Sequence, residues 1–122
     1  MLNKNYLPSL GFVILSTTVL SSTLLLLWAL SPLSYEKALA HERSGHLAFK
    51  NGDLESAYDS FLSSAKIDDD NITRGRRYRY VATSLMAAGK DSEAIKYYKK
   101  AIILNANDEV SLREYKRLES HE

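Results

Sequence analysis

The sequence predicts an all-α protein: an N-terminal single transmembrane helix, then two helical hairpins and a C-terminal capping helix. Three observations predict it. The run Leu10–Leu30 carries no charge and, as a helix, is long enough to cross a bilayer core. A pattern of glycine, alanine and aromatic residues occurs twice, its copies 37 residues apart from Gly52 to Gly89. The last stretch sets Val110, Leu112, Tyr115 and Leu118 among charges, as an amphipathic closing helix would. The expected organisation is a short tail over 1–9, the span over 10–30, a linker over 31–33, two repeats over 34–108, and the capping helix and tail over 109–122.

Bulk composition removes several classes of function. Of 122 residues, 16 are Lys or Arg and 15 Asp or Glu, so a net charge of +1 offers no footing for nucleic acid. There is no cysteine, which closes disulfides, thiolate metal sites and cysteine nucleophiles. His41, His46 and His121 lack zinc-ligand spacing, and Asp68-Asp69-Asp70-Asn71 lacks the glycine and distal glutamate of a calcium loop. No phosphate-cradling glycine loop or nucleophile elbow is present in the sequence. The expectation is therefore no enzyme, no cofactor and no metal.

Tyr6 and Trp28 sit near the ends of the apolar run, where amphipathic rings favour the headgroup region. Gly11, Thr18, Ser22 and Ala29 fall on one helical face of it, and small residues there would let a neighbouring helix approach closely. The competing reading is a cleaved signal peptide with Ala38-Leu39-Ala40 as its cleavage site, but that triplet lies well beyond the apolar run. Lys4 and the amino terminus place the tail inside and the repeats outside. The expected location is a bacterial inner membrane, crossed once, with the repeat domain on the periplasmic side. Ser31-Pro32 is expected to end the span, and Ser34 to cap the first repeat helix.

The two copies read Gly52-Asp-Leu-Glu-Ser-Ala57-Tyr-Asp-Ser-Phe61 and Gly89-Lys-Asp-Ser-Glu-Ala94-Ile-Lys-Tyr-Tyr98. Each is a tight turn followed by a helix with small and aromatic residues along one face. Ser92 or Asp91 can cap the second of these helices. The preceding helices run to about Lys50 and from about Thr73 to Ala88, the latter packing through Tyr78, Val81, Ala82 and Leu85. In these residues the chain resembles the tetratricopeptide repeat (TPR) family, which pairs two antiparallel helices in units of about 34 residues. Gly52 and Gly89 stand at its turn glycine, Ala57 and Ala94 at its small residue, Phe61 and Tyr98 at its aromatic. Ser64 stands where Ala101 would be expected, and the family's tryptophan and proline are absent, with His41 and Tyr78, and Asp69 and Ala106, at those positions. The resemblance implies repeats over about 38–71 and 75–108.

It also implies a concave groove lined by the first helix of each pair. By register that groove takes Glu42, His46, Phe49, Arg76, Arg79, Thr83 and Met86. Arg76 and Arg79 could fork onto a carboxylate of an acidic segment. The alternative is a solvated face, or pairing with Asp68-Asp69-Asp70. The expected function is protein–protein contact, as an accessory subunit or assembly factor of a larger membrane complex. The alternative is a membrane-tethered receptor or co-chaperone that holds peptides in the groove. The partners expected are other membrane or membrane-proximal proteins, a multisubunit complex or a second copy, together with the lipid bilayer.

Overall fold

In a computed structural model, residues 10–67 and 70–121 are described, and within the first helix side chains are described for 22–27 and from 33 onward. The described chain is all helical: α1 (Leu10–Lys50), α2 (Leu54–Ile67), α3 (Asn71–Ala87), α4 (Asp91–Leu104) and α5 (Glu109–Glu119). It divides into two units, Met1–Leu33 and Ser34–Glu122.

The first unit corrects the sequence reading. Among the described residues no helix is long and apolar enough to cross a membrane. The fold class with a transmembrane helix over 10–30, the single-pass membrane location with outward repeats, and the lipid bilayer as a partner are thereby overturned. Crossing takes about 20 consecutive apolar residues. α1 also continues without a break into Glu36, Lys37, His41, Glu42 and Arg43. Pro32 does not end the helix either, because α1 is continuous to Lys50. One missing N–H removes a single ladder bond, which strong turns on either side can tolerate. Of the expected lateral packing face, Ser22 is exposed, while the side chains of Gly11, Thr18 and Ala29 lie outside the described residues.

The second unit is built from short helices whose small residues face one another. Ala57, Phe61, Ser64 and Ala65 are buried on α2, Val81, Ala82 and Leu85 on α3, Ala94, Tyr98 and Ala101 on α4, and Leu118 on α5. Recurrence every three or four residues puts each set on one helical stripe. The repeat is visible in the turns as well. Gly52 and Gly89 both take positive φ, +79° and +75°, which closes a helix at no steric cost for a residue without Cβ. Around them Gly52 N–H donates to Phe49 O and Asp53 N–H to Ala48 O, matched by Gly89 to Met86 and Lys90 to Leu85.

Two small positions have local explanations. Ser64 is fully buried, and its hydroxyl donates to the Ala38 carbonyl at 2.6 Å, so a polar residue at a small-contact position is satisfied by α1. Gly45 is small for a reason: a Cβ there would lie 2.7 Å from the Phe61 ring.

Asp70 and Asp108 cap α3 and α5, accepting from Thr73 N–H at 2.7 Å and from Ser111 N–H at 3.2 Å. Asp53 likewise accepts from Ser56 N–H at 3.1 Å ahead of α2. The residue before α4 is Lys90, whose side chain makes no capping hydrogen bond. Hydrogen bonding from the Thr73 side chain, then its backbone, holds the Asp70 carboxyl below its ordinary value of 3.8.

Gly45→Ala should destabilise the fold by about 1–2 kcal/mol in urea melts, because crowding a packed ring outweighs the gain in helix propensity. Gly89→Ala should cost about 1 kcal/mol through its backbone conformation, with open space around the new methyl. The Asp70 cap has a pH signature. A lowered folded pKa contributes stability that is present above the unfolded value and fades as pH falls through the folded one. The stability gap between the natural chain and Asp70→Ala should be full near neutrality and narrow below pH 3.8.

Candidate functional site

The site grows from one buried charge. Arg77 on α3 is 1% exposed, and its Nε donates to Glu42 Oε2 of α1 at 2.8 Å. Sequence reasoning placed Glu42 in the groove; the structure sinks it into a charge pair with Arg77 between helices. Arg76 and His46 approach the other carboxylate oxygen of Glu42 at 3.7 and 3.9 Å. A guanidinium this deep is tolerated only with a carboxylate at hydrogen-bond distance. The pair therefore fixes the register of α1 against α3.

With that register set, a groove of ≈ 320 Å³ opens over His46, Phe49, Phe61, Arg79, Tyr80, Thr83 and Val110. Its floor is aromatic. His46 meets Phe61 edge-on, with centroids 5.0 Å apart, and meets Tyr80 at 4.8 Å, while Phe61 and Tyr80 lie 5.1 Å apart. The Arg79 guanidinium lies over the Tyr80 ring at 5.6 Å. Its Nε is 3.5 Å from Asp108 Oδ2, an ion pair too loose to satisfy the N–H, which is buried with no hydrogen-bond partner.

A second hollow continues from Arg79 and Val110 past Ile72 and Arg76 to Asn105 and Asn107. The two share a wall, so an apolar, aromatic end grades into a polar end where two arginines stand beside Asp108 and Glu109. Below them Thr83 Oγ1 donates to Arg79 O at 3.0 Å and lies 3.2 Å from Tyr98 OH. Burial pushes the Tyr98 hydroxyl above its ordinary value, against the opposing hydrogen bond with Thr83, so it stays neutral.

Four of the expected residues, His46, Phe49, Arg79 and Thr83, line the first hollow, and Arg76 lines the second. Glu42 is spent on Arg77. Met86 lies elsewhere, its sulfur 3.0 Å from Arg117 Nη2 and 3.9 Å from Tyr98 OH. Phe61, Tyr80 and Val110 were missed as lining residues. Phe61 shows its ring edge to the groove while serving the core, which periodicity cannot resolve. Val110 comes from the capping helix, whose docking angle is not written in its own pattern. Among the described residues no cluster of His, Cys, Asp or Glu could hold a metal.

No family model matches the chain. Curated relatives do match. It is 28% identical over 103 residues to the photosystem I assembly protein Ycf3 of Parasynechococcus marenigrum strain WH8102, covering 84% of this chain and 59% of that protein. Ycf3 of Prochlorococcus marinus strain MIT 9312 is 30% identical over 70 residues, 57% of this chain and 40% of that one. Ycf3 of strain NATL2A is 31% identical over 67 residues, 55% and 39% respectively. The chain thus spans between 39% and 59% of the length of these relatives. Together with the all-helical architecture, the similarity fits a TPR-like fold.

Replacing Glu42 by Gln removes the carboxylate beside a guanidinium that cannot shed its proton. The expected loss is about 3 kcal/mol in chemical denaturation. Exchanging the pair for uncharged residues, Glu42→Gln with Arg77→Met, should recover part of it. A single variant as stable as the natural chain would show that the pair does not set the register.

Proposed function

We propose that the chain is an assembly factor that binds protein subunits of a multisubunit complex through a TPR-like groove. In this reading residues 34–108 form two repeats, about 38–71 and 75–108, closed by 109–122. The observation that carries it is the similarity to proteins named for photosystem I assembly, over a segment that includes both hairpins. The groove is the physical complement: its aromatic floor takes an apolar side chain, and Arg76 and Arg79 take a carboxylate in a bidentate manner. A client recognised this way is an extended or helical segment with an acidic residue near an apolar anchor. The same geometry supports a peptide-binding receptor, and the two are separated by what happens to the complex rather than by binding.

Loss of the gene should lower the amount of an assembled complex while its free subunits persist, read by native electrophoresis. Photosystem I, named for the relatives, is the first complex to assay. Reintroducing Phe49→Ser with Arg76→Ala should leave that defect in place. Both side chains have exposed surface, so the variant should keep the helicity of the natural chain. Client binding should weaken about tenfold or more. If every complex accumulates normally without the gene, the assembly reading falls; if binding also survives the variant, so does the groove.

A further inference from the structure

α3 presents a second surface that the groove does not use. Arg74 and Tyr78 are each two residues from Arg76, so they project about 200° around the helix axis from it. With Lys100, Ile103 and Leu104 of α4 they line an indentation of ≈ 230 Å³. Its rim is an aromatic ladder. Tyr78 stacks on Tyr97 with centroids 6.0 Å apart, and Tyr58 meets Tyr97 edge-on at 6.1 Å, the two hydroxyls 3.4 Å apart. Lys100 Nζ lies 4.9 Å from the Tyr97 ring and 5.5 Å from that of Tyr78. These rings hold the ammonium in place without neutralising it.

The charges here are unspent. Among the described residues no carboxylate pairs with Arg74 or Lys100. Arg74 Nη2 bonds to Asn71 Oδ1 at 2.9 Å, while its Nε is buried with no hydrogen-bond partner. The positive charge of Arg74, shared over the guanidinium, is therefore offset, among the described residues, only by the neutral Asn71 amide. Beside these cations Ile103 is 74% exposed, an aliphatic side chain with no role in the core. The frame is also fixed. Gly75, next to Arg74, sits so close to α4 that a Cβ would be 3.2 Å from the Ala101 carbonyl and 3.3 Å from Leu104 Cβ.

We propose that this indentation is a second docking surface, for a protein segment that places a carboxylate next to an aliphatic side chain. The carboxylate meets the outer edge of the Arg74 guanidinium and the Lys100 ammonium, and the aliphatic group packs on Ile103, Leu104 and the Tyr78 ring. Two cations select an acid; the aliphatic floor selects a peptide over a polyphosphate, which has no apolar side chain to offer it. Because the frame is held by the α3–α4 contact, little ordering is needed on binding.

The full chain, labelled with ¹⁵N, would be titrated with a blocked synthetic peptide of alternating Asp and Leu, and with its Asn–Leu counterpart. Amide shifts centred on Arg74, Tyr78, Lys100 and Ile103 are expected with the acidic peptide. Affinity should fall about tenfold or more for the Asn peptide, and likewise for Lys100→Glu with Ile103→Ser. Both replaced side chains are exposed, so circular dichroism should be unchanged. Phe49→Ser with Arg76→Ala should leave this binding intact, which separates it from the groove. Shifts confined to groove residues, equal affinity for the two peptides, or no shift at all would overturn the proposal. So would shifts at these positions that grow with protein concentration alone, which would assign the surface to a second copy.

Discussion

The buried pair Glu42–Arg77 is the constraint from which the groove follows. Arg77 is almost fully removed from water, and a guanidinium does not lose its proton, so its position in the fold is tolerable only where a carboxylate meets it. Glu42 is on α1 and Arg77 on α3, with α2 between them in sequence. A shift of α1 by one residue would carry Glu42 around the helix and away from Arg77. The same register brings His46 and Phe49, one and two turns beyond Glu42, opposite Arg79 and Thr83. An ion pair of this kind adds little net stability compared with a well-packed apolar pair. Its contribution here is to specify one arrangement among several that small, alanine-rich surfaces would accept.

Those small surfaces set the spacing within which the pair operates. Ala57, Ala82, Ala94 and Ala101 are fully buried, and Gly45 and Gly75 allow contacts that a methyl group would crowd. Close approach of backbones brings the few large side chains, Phe61, Tyr98 and Leu85, into a single core cluster. Helices packed through small residues form shallow interfaces that do not select register strongly. The polar groups supply that selection: Ser64 to the Ala38 carbonyl, Arg77 to Glu42, and Arg79 toward Asp108 at the start of α5.

Much of the second unit was legible in the sequence, because its information is local. The turn glycines and the alternation of small and aromatic residues are each written within a few residues of where they act. The partners of Glu42 and Arg77 are 35 positions apart, and no periodicity reports that a charge on each will meet. Ser64 looked like a departure from the repeat and is instead a satisfied contact with α1. The apolar run at the start was read by composition, yet the described helices do not meet the length and apolarity a span requires. Proline at 32 was read as a stop by its missing donor, whereas α1 shows that one lost ladder bond does not outweigh the turns around it. The first-helix register places His46, Phe49, Arg79 and Thr83 along one hollow, whereas the share of Phe61 and Val110 in it depends on the core and on the capping helix.

On the proposed reading the character of the groove matters as much as its presence. An assembly factor has to hold a subunit and then release it to the complex. The groove has few deep apolar anchors: Phe61 and Tyr80 are largely committed to the rings beside them, which leaves the His46, Phe49 and Val110 edges as contact area. The remaining attraction comes from Arg76, half exposed, and Arg79, already leaning on Asp108. An exposed charge such as that of Arg76 speeds encounter and orients the client, but it is screened by salt and contributes modestly to lifetime. Small apolar area with guiding charge gives quick, reversible binding, whereas a permanent subunit interface buries a larger and more apolar surface. On the proposed reading, it is the sparseness of the groove, rather than any single residue in it, that suits an assembly factor that lets its client go.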